Sequence, residues 1–444
     1  MRKTINRKEF ESIKNKCEFI NPAIEKAQKL MQRGITTWVN PSIPQKIILW
    51  KRVGDDAYEV PFGAWEKDER VEIKSTVPWL RDYQIEAVEN CSRHDSGVIV
   101  APCGSGKTQA GIGLIEALKP DSTLIIVHSI DLMKQWKNRI DNVLGSNASG
   151  QSIAHCGNGS VVLIKALTSA NKGDIIITTV QTLVRVLQSQ IVTVNLVIVD
   201  EAHHCPASTY TSVLERLEFD TIYGLTATPH REDGLGPVML AQLGPIRYSV
   251  SREELVKKGH TLLPQLFKVE TPFFTVSSEY SEMITELSIN QTRNNIIWDQ
   301  VQKHGQYPQL ILSQRVDHCV ALAGMSRGLR VATITGSVKD REKLLQGVAE
   351  GLYDVLIATQ LADEGLDVVK LCAVHLVLPS RAAGRLEQRV GRICRPSKDK
   401  GIPTVFDYVD MGDSLLQNQW RARRKVYLEL GIRKGGKINL RKNV

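Results

Sequence analysis

The sequence lacks the features that mark membrane-spanning and secreted proteins. No stretch approaches the roughly 18 uninterrupted apolar residues of a membrane span. The N-terminal run MRKTINRKEFESIKNK is polar and mixed in charge, unlike a secretory signal. The eight cysteines form no C-x-x-C pair, so we expect reduced thiols rather than a disulfide framework. We therefore expect a cytoplasmic protein, in the host cytoplasm if the chain is viral.

The sequence also lacks an even distribution of charge. Its net charge is +9, but residues 1–75 carry a net +4 and residues 421–444 a net +8. A basic excess at both ends suggests a polyanionic partner, although a basic tail can serve solubility alone. Four of the seven tryptophans lie near the N-terminus: Trp38, Trp50, Trp65 and Trp79. We expect them either to form the core of a small domain or to stack on bases.

From about residue 76 onward, short apolar runs alternate with helix-like segments. Runs such as GVIV, TLIIV, QLILS and DVLIAT are typical of buried parallel strands. The alternation predicts an α/β fold with two parallel sheets, and residues 281–302 are predicted to be helical. The expected parts are a small α+β N-terminal domain, a first α/β domain, a linker with a second α/β domain, and a basic tail. Their expected bounds are 1–75, 76–240, 241–420 and 421–444.

The run APCGSGKTQAG, Ala101–Gly111, looks like a phosphate-binding loop in which alanine replaces the first glycine. It follows an apolar strand and opens a helix, which is the setting that such a loop requires. Three small residues are expected to bring backbone N–H groups to phosphate oxygens at the positive end of that helix: Gly104, Ser105 and Gly106. Lys107 can reach the β and γ phosphates, and the Thr108 hydroxyl can ligate Mg²⁺. The run therefore predicts a nucleotide site.

A second run, NLVIVDEAHH, supplies acidic groups at the end of a buried strand. We expect Asp200 to bind Mg²⁺ together with Thr108, and Glu201 to orient or deprotonate a water molecule. Two acids directly after an apolar strand fit this site better than they fit a solvated loop. The run His203–Cys205 is not expected to bind zinc, because a structural zinc site needs four ligands in spaced pairs.

The residues Asp200–His203 read D-E-A-H, which resembles motif II of the superfamily 2 helicases and translocases. An alanine at the head of the phosphate loop is common in that family. Other motifs occur in the family's order, and the resemblance extends over roughly residues 78–410. It implies two tandem RecA-like domains, with ATP and Mg²⁺ as cofactors.

The resemblance also implies roles for individual residues. LRDYQIEAV resembles the Q motif, which implies that Gln84 reads adenine. LIATQLADEGLDV resembles motif V, which implies that Asp367 contacts the nucleotide. TTVQTL and LTATP resemble motifs Ib and III, and His203 is implied to couple the ATP site to motif III. The residues implied in DNA contact or coupling from motifs Ib, III and V are Thr182, Thr226, Thr228 and Thr359.

QRVGRICRP resembles motif VI and supplies cationic residues. Arginines stabilise the negative charge that develops in phosphoryl transfer. Arg392 and Arg395 are three residues apart, so on a helix they can point the same way. Gln388 and Arg389 complete the motif. Because it lies on the second α/β domain, the resemblance implies that ATP is held in a cleft that closes on binding and opens on hydrolysis.

TPHRED, directly after motif III, is similar to the R-E-D element of XPB-like helicases; here it comprises Arg231, Glu232 and Asp233. The small domain before the motor also resembles phage UvsW-type and branch-migration helicases. These resemblances imply a monomeric, ATP-dependent DNA helicase or translocase. It would unwind or branch-migrate forked or junction DNA, with 3'-5' polarity, in replication, recombination or repair. The basic residues 1–75 would then bind DNA.

Two other functions remain open from the sequence. An ATP-gated clamp could bind or track duplex DNA without separating its strands, because the motifs indicate coupling to nucleic acid rather than strand separation. A DEAH-type RNA helicase would usually carry a long C-terminal helical domain, and only about 35 residues follow the last predicted strand. A restriction translocase subunit would need a nuclease domain, for which there is no length.

Overall fold

The computed structural model divides the chain into two compact units. One is formed by Met1–Pro102 with Gly106–Val250, and the other by Cys103–Ser105 with Ser251–Val444. The structure describes residues 2–32, 44–65, 77–144, 153–156, 174–187, 191–205, 207–229, 233–275, 277, 279–336, 338, 340–359, 368–379, 383–397 and 400–435. Only the backbone is described for residues 153–156, 383–385, 388 and 433–434.

The N-terminal part of the first unit mixes short helices with antiparallel strands. Its elements are β1 (Arg2–Asn6), α1 (Arg7–Ile13), β2 (Glu18–Ile20), α2 (Pro22–Gln32), β3 (Lys46–Ile48), β4 (Lys51–Arg52) and β5 (Ala57–Pro61). The strands form a three-stranded sheet of order β1-β5-β4 and a β2-β3 pair. Asn21 accepts a hydrogen bond from Ala23 N at the start of α2, where Pro22 has no N–H that would need an acceptor.

Aromatic side chains form the small core of this part. Phe10 stacks on Tyr58 with ring centroids 4.3 Å apart, and Trp50 packs against both rings. Trp65 packs on the edge of the same cluster. The described tryptophans here therefore serve packing, while Trp38 lies outside the described residues. Phe62 then meets Phe219 edge-on at 4.9 Å, which anchors the N-terminal part to the rest of the first unit.

The remainder of the first unit is a parallel α/β layer structure. Its elements are α3 (Asp82–Ser92), β6 (Ser96–Val100), α4 (Lys107–Leu118), β7 (Ser122–Val127), α5 (Ile130–Leu144), β8 (Ile153–Cys156), β9 (Asp174–Thr179), α6 (Val180–Val186), β10 (Val192–Asp200), α7 (Ser208–Leu214), β11 (Leu217–Thr226), α8 (Gly236–Leu243) and β12 (Ile246–Ser249). The strand order is β12-β6-β11-β10-β7-β9-β8, with every pairing parallel. Separate hydrophobic clusters cover the two faces, as buried apolar strands require.

The second unit repeats this architecture. Its elements are α9 (Arg252–Lys257), β13 (Gln265–Thr271), α10 (Tyr280–Ile289), α11 (Gln291–His304), β14 (Gln309–Ser313), α12 (Val316–Gly324), β15 (Val331–Ile334), α13 (Arg341–Glu350), β16 (Val355–Thr359), β17 (Ala373–Leu376), α14 (Ala383–Ile393), β18 (Thr404–Asp410), α15 (Ser414–Glu429) and β19 (Arg433–Lys434). The order of this parallel sheet is β15-β16-β14-β17-β18-β13-β19. The predicted α/β fold with two tandem parallel sheets and a small α+β part is confirmed.

Two local features differ from the prediction. Residues 281–302 form two helices rather than one, because Asn290 ends α10 and caps α11 by accepting from Arg293 N at 2.9 Å. Strand β12 was not predicted, and it joins the edge of the first sheet beside β6. The first unit therefore runs to Val250.

The C-terminal segment also differs from the expected basic tail over residues 421–444. Arg423, on α15, is buried and pairs with Asp407 Oδ1 at 2.7 Å. Tyr427 donates to the other oxygen of Asp407 at 2.7 Å and is itself 1% exposed. Strand β19 then pairs with β13. Residues 421–435 therefore belong to the folded second unit, and residues 436–444 lie outside the described part of the chain. None of the described helices combines the length and hydropathy that crossing a membrane requires.

Candidate nucleotide-binding site

The phosphate-loop run lies between β6 and α4, as predicted. Gly104 and Gly106 have φ values of 83° and 84°, a left-handed conformation that residues with a Cβ avoid. Ala101 is buried, and its N–H donates to Thr226 O at 3.0 Å. Lys107 Nζ lies 3.2 Å from the carbonyl oxygen of Ala101, which it donates to. The loop thus curls back on the strand end with its lysine over the turn.

Gln84 packs directly on this loop. Its Nε2 donates to the carbonyl oxygen of Gly106 at 3.2 Å, and its Oε1 accepts from Arg81 N at 3.0 Å to cap α3. A Cβ on Gly106 would come within 2.6 Å of the same Nε2. Gln84 is 3% exposed, so it links the start of α3 to the loop. Ser105 and Thr108 are also buried.

Asp200 ends β10 and is almost completely buried, at 4% exposed. Its Oδ2 accepts from Trp136 Nε1 at 2.7 Å, and its Oδ1 accepts from the N–H of Glu201 at 2.9 Å. Burial raises the pKa of the Asp200 carboxyl, and the nearby charge of Glu201 raises it further. The indole N–H of Trp136 and the ammonium of Lys107 act in the opposite direction on this pKa.

The residues after Asp200 turn back toward β11. Glu201 adopts a left-handed conformation with φ 49°, which is uncommon for a residue with a side chain. His203 Nδ1 lies 3.4 Å from Glu201 Oε2 and 3.1 Å from Thr226 Oγ1. Thr226 Oγ1 in turn donates to Thr228 O and accepts from Thr228 N, both at 3.2 Å. A chain of contacts thus runs from Glu201, after β10, through His203 to Thr226 at the end of β11.

Sheet order explains why these groups meet. β11 lies between β6 and β10, and the register pairs Asp200 with Leu225 and Thr226 with Val100. Since all three strands are parallel, their carboxyl ends reach the same edge. The phosphate loop, the acidic pair and Thr226 therefore share that edge.

Two other predicted residues of the first unit make local hydrogen bonds of their own. Thr182 is buried near the start of α6, where its hydroxyl meets Thr179 Oγ1 at 2.9 Å. Asp233 is exposed and accepts from Leu235 N at 3.1 Å. Arg231 and Glu232 lie outside the described residues.

In the second unit, Thr359 ends β16, and its buried hydroxyl has no hydrogen-bond partner among the described residues. Arg389 is buried on α14, and Arg392 is half-buried in the last turn of the same helix. The backbone of Gln388 is described but its side chain is not, and Asp367 lies outside the described residues.

The expectation that Arg392 and Arg395 share one helix is wrong. Helix α14 ends at Ile393, so Arg395 follows it. Pro396 disfavours the helical conformation for the residue before it, which accounts for this end. The carbonyl oxygen of Cys394 instead accepts from Leu262 N at 2.7 Å and from Thr261 Oγ1 at 3.1 Å.

The donor set suits a magnesium–nucleotide complex. Lys107, the hydroxyl of Thr108 and the buried Asp200 carboxylate accompany a loop in which Gly104 and Gly106 adopt left-handed conformations. Mg²⁺ in such sites is held by one or two carboxylates with waters and phosphate oxygens rather than by a protein cage. The described side chains contain no cluster of three or more His, Cys, Asp or Glu that could hold a metal ion, and this kind of site needs none.

The sequence did not reveal Trp136. It lies within α5, and nothing local marks an indole that bonds to a carboxylate 64 residues away. The glycine at position 111 is a weak signal, since a Cβ there would lie 2.6 Å from Trp136 Cη2. The sequence also does not predict that the His204 ring packs, tilted, against those of His203 and His128, at centroid distances of 4.3 and 5.0 Å.

Two family models match the chain. One is described as "Type III restriction enzyme, res subunit" and matches residues 78–231; the other is "Helicase conserved C-terminal domain" and matches residues 290–397. The chain is 27% identical over 371 residues to "DNA 3'-5' translocase XPB2" of Sulfurisphaera tokodaii, covering 72% of this chain and 79% of that protein. It is 26% identical over 369 residues to "DNA 3'-5' helicase XPB" of Kineococcus radiotolerans, covering 79% of this chain and 63% of that protein.

A solved structure of similar fold is an "ATP-dependent Type ISP restriction-modification enzyme LlaBIII bound to DNA". Its TM-score is 0.57 at 14% identity, over 78% of this chain and 30% of that one. The two family models and the XPB-like relatives together show that the chain belongs to the superfamily 2 helicases. Within that superfamily its homologues are XPB-like helicases, although it spans less than two thirds of the Kineococcus relative.

Proposed function

We propose that the chain is an ATP-dependent DNA helicase or translocase that unwinds or branch-migrates forked or junction DNA with 3'-5' polarity. The observation that carries this proposal is the linked series from Asp200 and Glu201 through His203 to Thr226. The series joins the two carboxylates, which suit phosphate chemistry, to the turn at Thr228, which would take no part in that chemistry. That arrangement is what a motor needs and a simple ATPase does not.

The first part of the proposal concerns ATP. Lys107 and the N–H groups at the start of α4 would bind the phosphates, with Gln84 on the same loop near the base. Thr108 and Asp200 would hold Mg²⁺, which supplies charge neutralisation on the phosphate oxygens when bound. Glu201 would orient or deprotonate the attacking water, and its carboxylate has His203 at 3.4 Å to hold it.

The second part concerns coupling. Thr226 shares one hydroxyl between His203 and the backbone of Thr228. A shift of Glu201 during hydrolysis would therefore move His203 and Thr226, and through them the segment that begins at Thr228 and continues into the R-E-D element. A hydrogen-bonded group with two discrete arrangements is the physical requirement for such coupling.

The third part concerns the nucleic acid. The names of the two XPB relatives specify DNA and the 3'-5' direction, which supports the same for this chain. The N-terminal part adds exposed basic side chains, among them Arg7, Lys8, Lys51 and Arg52. Because its described tryptophans are used in packing, we propose that this surface contacts phosphates rather than stacking on bases.

A substrate comparison tests the proposal. ATP turnover and strand separation would be measured on single-stranded DNA, duplex DNA, a fork, a four-way junction and RNA of matched sequence. We expect the fork and the junction to give the greatest stimulation and to be separated or migrated. Duplex stimulation without separation on any substrate would indicate an ATP-gated clamp or translocase, and preference for RNA would indicate an RNA helicase. Either result would contradict the proposal.

A further inference from the structure

Both oxygens of the Asp200 carboxylate are fixed by donors from different parts of the chain. Oδ1 accepts from the N–H of Glu201 at 2.9 Å, and Oδ2 accepts from the indole N–H of Trp136 at 2.7 Å. Two donors on two oxygens define the plane of the carboxylate. Each oxygen keeps further acceptor capacity for a cation or its bound water.

The indole is itself held rigidly. Trp136 is 0% exposed and belongs to the hydrophobic cluster on one face of the first sheet. Gly111 of α4 leaves the space for the ring, since a Cβ at that position would lie 2.6 Å from Trp136 Cη2 and 3.0 Å from Leu225 Cδ1. In a close-packed interior the ring cannot turn away without displacing these neighbours.

This packing connects the acid to the phosphate loop. The helix that makes room for the indole, α4, is the one that opens with Lys107 and Thr108. A second contact joins the chain before Trp136 to the chain after Asp200, because the His128 ring, directly after β7, lies 5.0 Å from that of His204. The stretch from residue 128 to residue 136 therefore touches the Asp200 segment at two points.

We propose that Trp136 is a positioning residue for the Asp200 carboxylate, and that it sets the affinity of the site for Mg²⁺ rather than for the nucleotide itself. The proposal rests on the assignment of Asp200 as a Mg²⁺ ligand in the proposed function. Groups that orient a metal-binding side chain commonly change metal affinity or activity by about 10- to 100-fold when removed. Sequence motifs alone do not identify this residue.

Trp136→Phe tests the proposal, because it keeps an aromatic ring and removes the donor. A second replacement, by the amino acid β-(3-benzothienyl)alanine, keeps the two-ring shape and also removes the N–H. The probe is a fluorescent ATP analogue, whose binding is measured as Mg²⁺ is titrated and again in EDTA. Both replacements are expected to raise the Mg²⁺ concentration for half-maximal binding by about tenfold. Binding in EDTA should be unchanged.

The matched control is Trp298→Phe in the second unit. Trp298 is equally buried, and its indole donates to the carbonyl oxygen of Leu322 at 3.1 Å, away from the acidic strand end. If the benzothienyl protein needs no more Mg²⁺ than the Trp298→Phe protein, the positioning role is wrong. If the unaltered protein binds the analogue equally with and without Mg²⁺, the metal assignment in the proposed function fails instead. The two failures are therefore distinguishable.

Discussion

The ring of His203 lies beside the hydroxyl of Thr226, with Nδ1 3.1 Å from Oγ1. His203 follows the end of β10 in a short 3-10 helix, whereas Thr226 ends β11 and also holds the turn to Thr228. Thr226→Val keeps the shape of the side chain and removes every one of these hydrogen bonds. We expect ATP turnover to persist while strand separation per ATP falls about tenfold, within the usual range of coupling energies. Parallel assays of ATP hydrolysis and unwinding measure the ratio.

Thr178→Val is the control for that variant. Thr178 is also a buried strand threonine of the same sheet, and its hydroxyl has no hydrogen-bond partner among the described residues. This variant should leave both activities in place. If Thr226→Val lowers hydrolysis and unwinding in equal proportion, Thr226 supports the site rather than its coupling.

Lys107→Ala addresses the phosphate loop. Lys107 Nζ is placed over the loop by its bond to Ala101 O, where a phosphate would meet it. We expect hydrolysis to fall by at least about a hundredfold, as when a charge-stabilising group is removed. DNA affinity should stay within about threefold, because contacts to the DNA backbone dominate that affinity. ATP turnover and DNA binding are measured on the same preparation.

Lys137→Ala provides the comparison. Lys137 lies on the exposed face of α5 and pairs with Asp141 at 2.7 Å, so its loss should change neither quantity. Retained turnover in Lys107→Ala would show that the loop does not bind the reacting phosphates.

The sequence predicted most of what positions this site. The strand, loop and helix around Lys107 follow from apolar periodicity and from the residues that a phosphate needs. Partners distant in the chain could not be predicted, because the bond from Trp136 to Asp200 exists only after α5 packs on the sheet. The end of α14 at Ile393 could have been predicted from Pro396, since that signal is local. The cap at Asn290 was also local, but the apolar pattern on both sides of it obscured the break.

Two truncations distinguish C-terminal residues that contact DNA from those that the fold of the second unit requires. Ending the chain after Gly435 removes three basic residues: Lys437, Arg441 and Lys442. If these contact DNA, the slope of log binding constant against log salt should become shallower by up to about 0.9 per lost phosphate contact. The measurement is DNA affinity over a series of salt concentrations. An unchanged slope would show that these residues make no phosphate contact.

A longer truncation, after Trp420, should behave differently. It removes Arg423 and leaves Asp407, which is 0% exposed, without its buried cation. Leaving a buried charge unpaired costs about 3–5 kcal/mol. We expect loss of folding of the second unit, seen in thermal unfolding. A stable protein of unchanged melting temperature would contradict the role assigned to this ion pair.

The interior of the second unit should make its stability sensitive to acid. His318 is buried between Ser313 Oγ and Asn294 Oδ1, at 3.1 and 3.0 Å from its two ring nitrogens. Burial, together with the charge of Arg293, lowers the pKa of His318 to about 3. Between about pH 6.5 and pH 3 the unfolded chain therefore binds a proton that the folded chain does not. The free energy of unfolding should fall as the pH falls through this window.

His318→Gln removes that proton uptake. Between pH 6.5 and 3 the unfolding free energy of this variant should therefore depend less steeply on pH than that of the unaltered protein, by up to about 1.4 kcal/mol per pH unit. Above pH 6.5 the two proteins should show the same pH dependence. Urea unfolding at a series of pH values measures this difference. Ser313→Ala, which removes only a hydrogen-bond partner, should lower stability by a similar amount at each pH. If the two variants show the same pH dependence, the acid sensitivity arises from groups other than His318.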